Sequence, residues 1–416
     1  MTTPLINQSR LLDRFLRYVQ IGTAADPSSQ TYPSSPGQWD LARVLLRELV
    51  EIGAENAHLD ENGLVWATIP ATIPAACPTI ALIAHMDTSP EAPAENVQPQ
   101  VVEGYPGGDL ALPGGKLLTA ANSPTLSDLV GKTLVTTDGN TLLGGDDKAG
   151  VAIIMEVAQH LIEHPQIPHG TLKVLFTCDE EIGHGTDHID LKKLGADVAY
   201  TIDGGGAGML DVETFSADAM RVTFFGHNIH PAIAKGQMVN AIRGASDFVN
   251  SLPRSERTPE TTQDREGFIH PHEIRGGVGR CEVDLILRSF DASQLDEFAS
   301  VVIQAAEQAV GRLLGLRVQF ERRRQYRNLA DGLQRVPDAV ELAEQAYANL
   351  GRPCVRAIVR GGTDGSQLTE KGLPTPNLSS GQHNIHSVLE FVCVEEMVQA
   401  SEHAIELVRL WGTRTL

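Results

Sequence analysis

Apolar runs of strand length alternate with helix-length amphipathic segments along most of this chain, and this alternation constrains the fold more than any other feature. TIALIA (79–84), TLKVLFT (171–177) and VAYTI (198–202) have the composition of strands buried on both faces. Between the first two, apolar residues recur at helical spacing over 147–161. Strands separated by helices of this size predict an α/β fold with a mainly parallel sheet flanked by helices.

A different pattern begins near residue 212 and ends near residue 330. Its predicted elements follow one another as strand 220–225, helix 240–252, strand 280–289, helix 293–314 and strand 316–320. This order predicts a small α+β domain with its own core. Helical patterns over 337–350 and 394–412 then resemble those of the first part of the chain, before residue 212. We therefore predict a discontinuous main domain, 1–211 and 331–416, with an inserted domain at 212–330.

Charge and cysteine content narrow the classes of function. The chain has 33 Lys and Arg against 53 Asp and Glu, a net charge of −20, which disfavours nucleic acid and anionic membranes as partners. No apolar run approaches the roughly 18 residues that span a bilayer, and the N-terminal segment lacks the pattern of a secretory signal. Five cysteines without paired spacing indicate reduced thiols. We expect a cytoplasmic protein.

Ionisable residues follow the predicted strands, and in α/β sheets binding sites form at the carboxyl ends of strands. His85 and Asp87 leave the first strand two residues apart, so both side chains lie on one side. A metal-bound imidazole needs its second nitrogen held by an acceptor, which Asp87 could supply. An ordinary surface pair near a turn is the alternative.

Acidic residues follow at the next two motifs. In LLGGDDKAG, helix capping explains one aspartate easily and the pair less well, and Asp146 is the candidate bridge between two cations. In TCDEEIG, three adjacent carboxylates at 179–181 follow a buried strand, where cations or protons must offset their repulsion. One glutamate would bind metal while its neighbour acts as general base. An exposed acidic turn is the alternative.

Two further segments complete the candidate set. Asp203 ends a predicted strand before three glycines, although an Asp-Gly turn would explain it equally well. His383 and His386 occur far downstream in QHNIHS, and either is a candidate ligand or an ordinary core or surface histidine. Histidine and carboxylates without cysteine suit zinc, manganese or cobalt. Two such cations that share a carboxylate are the usual arrangement of two-metal aminopeptidases.

Taken in order, these motifs resemble those of a known family. They are AHMDTSP, TTDGNTLLGGDDKAG, DEEIG, TIDGGG, NIHPAIAKG, RGGTDG and the terminal histidine, and they run from residue 85 to residue 386. The chain resembles the peptidase T family, cytoplasmic tripeptide aminopeptidases within a clan of di-zinc exopeptidases and deacylases. The resemblance implies a zinc-exopeptidase-like catalytic domain with an inserted α+β lid.

The resemblance also implies a role for each matching residue, and a cis peptide bond after the bridging aspartate. His85 and Asp203 would bind one zinc, Glu181 and His386 the other, with Asp146 as bridge, Asp87 orienting His85 and Glu180 as proton shuttle. In the lid, His230 would reach the substrate carbonyl or the oxyanion. Asn240, Arg280 and Arg360 are weaker candidates for binding the peptide backbone and its terminal carboxylate.

Two departures from the family pattern bear on these roles. The segment around the last ligand makes His383 a competitor, although spacing favours His386. Ala232 stands where the family commonly has glycine.

The implied activity is release of the first residue from short peptides with a free N-terminus, using two Zn²⁺ ions or Mn²⁺ or Co²⁺ in their place. A related di-metal carboxypeptidase or N-acyl-amino-acid deacylase would share the same ligands and is the alternative. A non-catalytic binding protein with this fold would be expected to have lost a ligand or the base, and every expected position is filled.

Overall fold

The computed structural model describes residues 6–74 and 76–414. The chain divides into a larger unit of Met1–Val212, Asp331–Ala357 and Thr363–Leu416, and a smaller unit of Glu213–Ala330 and Ile358–Gly362. The sequence pattern had placed 358–362 in the main domain. This segment belongs to the smaller unit, where the amide N–H of Phe215 donates to the carbonyl of Val359 at 3.1 Å.

Helices and strands alternate through the described residues much as the periodicity predicts. The α-helices are α1 (Gln8–Val19), α2 (Pro36–Glu51), α3 (Gly145–Glu163), α4 (Leu191–Leu194), α5 (Ala241–Ser251), α6 (Gln294–Arg312), α7 (Ala330–Leu333), α8 (Asp338–Asn349), α9 (Asp364–Glu370) and α10 (Val394–Trp411). The strands are β1 (Glu55–Leu59), β2 (Val65–Ile69), β3 (Ile80–His85), β4 (Gln100–Val102), β5 (Leu110–Ala111), β6 (Leu117–Leu118), β7 (Leu134–Thr136), β8 (Leu172–Thr177), β9 (Val198–Gly205), β10 (Met209–Thr214), β11 (Ser216–Phe225), β12 (Phe268–Gly276), β13 (Arg280–Ser289), β14 (Arg317–Tyr326), β15 (Val355–Val359), β16 (Asn377–His383) and β17 (Phe391–Cys393).

The main sheet has 11 strands, of which nine follow the order β1-β2-β8-β3-β9-β16-β17-β7-β4. Its centre is parallel, because β3 pairs in parallel with β8 and β9, and β9 with β16. Antiparallel strands extend it on both sides, including β2 beside β8 and β17 beside β16. The predicted α/β class with a mainly parallel central sheet is confirmed.

Helix α3 lies at the centre of the larger unit and is buried along most of its length. Its apolar residues, among them Val151, Ile153 and Ile154, are fully buried. One charged residue in its middle, Glu156, accepts hydrogen bonds from the guanidinium groups of Arg10 and Arg14 at 2.7 and 3.1 Å. A buried carboxylate must be paired in this way, because desolvation of an unpaired charge is costly.

A four-stranded antiparallel sheet, β12-β13-β11-β14, forms the smaller unit together with α5 and α6. Phe224, Phe248, Val283 and Val302 belong to its own buried core. The elements predicted for this region did not include β12, the strand that contains the segment IHPHE. It lies at the edge of the sheet, where the missing N–H of Pro271 is tolerated.

The strand order places several chemical groups at one edge of the main sheet. The adjacent parallel strands β8, β3, β9 and β16 end at Thr177, His85, Gly205 and His383. Parallel neighbours have their carboxyl ends at the same edge, where α/β sheets form their sites. Among the residues that the structure describes, no helix is long and apolar enough to cross a membrane.

Candidate metal centre

His85, the last residue of β3, is directed into a group of carboxylates. Its Nε2 lies 3.0 Å from Asp146 Oδ1 and 3.9 Å from Asp203 Oδ1. Its Nδ1 lies 3.4 Å from the carboxylate of Asp87 and 3.1 Å from the carbonyl oxygen of the same residue. One ring nitrogen therefore faces the carboxylates, while Asp87 holds the other and fixes the orientation of the ring.

The carboxylate of Asp146 lies between two histidines. While Oδ1 faces His85, Oδ2 lies 3.4 Å from His386 Nε2. The same nitrogen of His386 lies 2.9 Å from Glu181 Oε2. Each oxygen of Asp146 thus meets its own histidine, and each histidine has a second carboxylate beside it, Asp203 for His85 and Glu181 for His386.

The backbone is unusual at the start of α3, where Asp146 lies. Gly144 has φ 82°, and a Cβ there would lie 3.1 Å from the side chain of Thr88. The peptide bond between Asp146 and Asp147 is cis, as the resemblance implied. The carboxylate of Asp147 accepts hydrogen bonds from the amides of His85 and Gly150, both at 3.2 Å.

Ligand-type atoms in this region are close enough to share a cation. One group joins His85, Asp146 and Glu181, and a second joins His85, Asp147 and Asp203; within each, the donor atoms lie within 4.8 Å of one another. The second group contains a residue for which the sequence predicted no role as a ligand, Asp147.

The three adjacent carboxylates after β8 divide between two surroundings. Asp179 has φ 60° and points towards the start of α2, where it accepts from the amide of Ser34 at 2.7 Å and from Gln38 at 2.6 Å. Asp87 accepts the amide N–H groups of Glu180 and Glu181 on its two oxygens, at 3.1 and 3.0 Å. Asp179 therefore anchors the segment, and its two neighbours, Glu180 and Glu181, contribute side chains to the candidate metal centre.

Of the two downstream histidines, the structure brings His386 to the carboxylates. His383 is engaged elsewhere: its Nε2 lies 2.6 Å from Glu396, and its ring stacks on Phe391 with the centroids 4.7 Å apart. Left-handed backbone at Asn384 and His386, with φ of 52° and 59°, turns the chain after β16.

Burial and crowding set the electrostatics of the centre. Desolvation raises the pKa of Glu180 and Asp203 well above their ordinary values, and that of Glu181 to about 7. Hydrogen bonds with Asp146 and Glu181 raise the pKa of His386 to about 11. The carboxylates outnumber the positive charges that can neutralise them, so the cluster holds its negative charge only with protons or with cations among its oxygens.

Comparison with known proteins identifies the family. A family model described as Peptidase family M20/M25/M40 matches residues 136–409. A relative named Peptidase T, from Geobacillus thermodenitrificans (strain NG80-2), is 44% identical over 411 residues, which cover 98% of this chain and 100% of the relative. The chain belongs to the peptidase T family. As a member it is a metallo-aminopeptidase, a hydrolase of peptide bonds.

Solved structures agree with this assignment. An aminopeptidase PepT from Bacillus cereus ATCC 10987 superimposes with a TM-score of 0.75 at 24% identity, covering 98% of this chain and 100% of that one. A tripeptidase from Staphylococcus aureus subsp. aureus mu50 gives 0.76 at 25% identity, with 99% and 100% covered. This chain therefore has the same fold as these solved structures.

Residues that sequence reasoning missed contact the candidate metal ligands or the backbone that carries them. The side chain of Gln382 donates to both the carbonyl and the carboxylate of Asp203, at 3.0 and 3.1 Å, and Asn377 accepts the amide of Asp203 at 3.0 Å. Glu390 accepts three backbone amides at the turn of Asp146. The available signal was the polar content of β16, NLSSGQH, a strand that is buried over all but its last residue.

The four predicted substrate-binding residues all lie in the smaller unit. His230 accepts the amide of Ala232 at 3.2 Å and Asn240 caps α5, while Arg280 pairs with Glu282 at 2.5 Å. The guanidinium of Arg360 donates to the carbonyls of residues 262, 264 and 266 and to one hydroxyl, at 2.8 to 3.3 Å. These contacts give Arg360 a structural role; the substrate-binding roles of all four stay predictions.

Proposed function

We propose that this chain is a two-metal aminopeptidase that releases the N-terminal residue of tripeptides in the cytoplasm. One observation carries the metal part of the proposal: the two oxygens of Asp146 face two separate histidines, each with its own second carboxylate. The free state of all five cysteines supports a reducing compartment.

In this proposal His85 and Asp203 hold one cation, Glu181 and His386 hold the other, and Asp146 bridges them. The fit is supported by Glu181 Oε1, a buried oxygen without a hydrogen-bond partner. Imidazole and carboxylate donors without thiolate suit Zn²⁺, with Mn²⁺ or Co²⁺ as substitutes. When bound, such cations supply Lewis-acid polarisation of the scissile carbonyl and lower the pKa of water.

Glu180 is the proposed proton shuttle. Its backbone N–H is held by Asp87, and burial raises the pKa of its carboxyl group, which makes the group a stronger proton acceptor than an ordinary glutamate. Glu180 would accept a proton from the attacking water and return it to the leaving amine. Asp87 would keep His85 oriented by accepting from its Nδ1.

The peptide itself would be recognised by residues for which the family resemblance suggests roles. We propose that His230 stabilises the oxyanion of the transition state, and that Asn240, Arg280 and Arg360 contribute to binding of the peptide backbone and carboxylate. The proposed preference for tripeptides is supported by the similarity to a protein described as a tripeptidase.

Product identification tests the proposal. The zinc-loaded protein would be incubated with a tripeptide of three different residues, and the products identified by mass spectrometry. We expect the first residue and the remaining dipeptide, and no cleavage of the same peptide when its N-terminus is acetylated.

Other products would reassign the activity. Release of the last residue would indicate a carboxypeptidase with the same ligands, and loss of the acetyl group from an N-acetylated amino acid would indicate a deacylase. Absence of cleavage with zinc, manganese and cobalt would refute the proposal.

A further inference from the structure

Glu390 is a buried carboxylate whose side-chain hydrogen bonds go to one backbone turn. In sequence the residue follows the loop of His386 and directly precedes β17, and it is only 1% exposed. Oε2 accepts the amide N–H groups of Leu143 and Gly144 at 2.7 and 2.8 Å, and Oε1 accepts that of Asp146 at 3.0 Å. A carboxylate that receives three amides forms strong, charge-assisted hydrogen bonds.

The turn that receives these bonds is shaped around the carboxylate. Gly145, between the bonded amides, passes so close that a Cβ there would lie 3.1 Å from Glu390 Oε1 and 2.6 Å from Val392 Cγ2. The amide of Asp146 is one of the first N–H groups of α3, which have no partner within the helix, so Glu390 supplies the acceptor that this end of the helix lacks. Glu390 is therefore part of both the packing and the hydrogen bonding of this turn.

Glu390 also belongs to the short segment that follows His386. Its amide donates to the carbonyl of Ser387 at 3.1 Å, and the amide of Leu389 donates to the hydroxyl of the same serine at 3.1 Å. The side chain of Asn384 closes the loop by donating to the carbonyl of Leu389 at 3.3 Å. His386 and Glu390 are thus held in one compact loop.

These contacts tie together two elements that are far apart in sequence. The loop holds His386, the turn holds Asp146, and the two side chains lie 3.4 Å apart. We propose that Glu390 is a positioning residue that sets the spacing between Asp146 and His386, so that one carboxylate serves two cations. This inference rests on the two-metal centre of the proposed function and adds a residue to which that proposal gives no part.

Glu390→Gln tests the inference with little change of shape. An amide has one acceptor oxygen, so its NH₂ group must face either the amide of Asp146 or those of Leu143 and Gly144. Glu395→Gln is the matched control, because Glu395 Oε2 also accepts a backbone amide, that of Thr133, at 2.8 Å. Both variants would be made in the full chain.

Chelator competition on the zinc-loaded proteins is the first measurement, and the absorption spectrum of the cobalt-loaded forms is the second. We expect wild type and Glu395→Gln to hold two cations with equal affinity. Glu390→Gln should hold its weaker cation about 10- to 100-fold less tightly, as is typical when a residue behind a ligand is replaced. Its cobalt spectrum should change, and its kcat/KM should recover as free metal is raised.

Each other outcome contradicts a defined part of the reasoning. Wild-type affinity, spectrum and kcat in Glu390→Gln would overturn the positioning role alone. Equal weakening in both variants, with equal loss of thermal stability, would show a general structural effect and overturn it too. A wild-type protein that binds fewer than two cations would overturn the metal centre, and the positioning role with it.

Discussion

Replacing the two downstream histidines separately gives the sharpest test of the metal centre. His386→Ala removes the nitrogen that lies 2.9 Å from Glu181 and 3.4 Å from Asp146, which leaves two carboxylates and no imidazole on that side. His383→Ala removes a ring that pairs with Glu396 and stacks on Phe391. The two changes are chemically identical and lie three residues apart in the sequence.

The two variants should lose different properties: His386→Ala loses activity and one cation, and His383→Ala loses folding stability. Loss of one of three proposed ligands should lower kcat/KM for a tripeptide by at least about 100-fold, which corresponds to about 2.7 kcal/mol of transition-state stabilisation. The protein should retain one cation, on His85 and Asp203. His383→Ala should keep both cations and lose about 1.5–3 kcal/mol of stability, the usual cost of losing a hydrogen bond to a charged group.

The number of cations bound per chain is measured directly by inductively coupled plasma mass spectrometry after exhaustive gel filtration. We expect two cations per chain for wild type and His383→Ala, and one for His386→Ala. Two cations in His386→Ala together with one in His383→Ala would refute the assignment. Denaturant unfolding of each variant serves as the control for folding.

The remaining predictions concern the base, the orienting carboxylate and a buried histidine. Glu180→Gln should lower kcat by about 10²- to 10⁴-fold with two cations retained, as measured by steady-state kinetics and metal analysis; unchanged kcat would exclude Glu180 as the shuttle. Asp87→Asn should weaken cation binding about 10- to 100-fold in chelator competition, since it then offers one acceptor oxygen where two amides are bound. Burial lowers the pKa of His403 from 6.5 to about 4, so the unfolded state binds more protons between these values and stability falls as pH drops through them. In urea unfolding, wild type should therefore lose up to about 3 kcal/mol more than His403→Gln between pH 7 and pH 4, and equal losses would contradict this reading.

Much of the fold could be predicted because its signals are local. The spacing of apolar residues placed the strand at 280–289 and the long helix near 293–314, and the structure has β13 at Arg280–Ser289 and α6 at Gln294–Arg312. The predicted elements did not include β12, a strand that contains a proline, Pro271. Only the position of β12 at the edge of its sheet makes that residue acceptable.

The sequence by itself determined which chemical groups follow which strands, and their order matches that of the peptidase T family to which the chain belongs. That information is local. An apolar run predicts a strand, and the polar residue after it marks the end of that strand, whatever place the strand takes in the sheet. The placement of His85, Asp146 and Asp203 as candidates needed only this reasoning and the family pattern.

Only the tertiary structure decided which of these groups meet. It brought His386 to Glu181 and turned His383 towards Glu396, and it turned Asp179 away from its two neighbours. It also placed Glu390 beneath the turn of Asp146, 244 residues away in sequence. Such contacts depend on strand order and on left-handed backbone in short loops, which set where a side chain points and leave no periodic trace in the sequence.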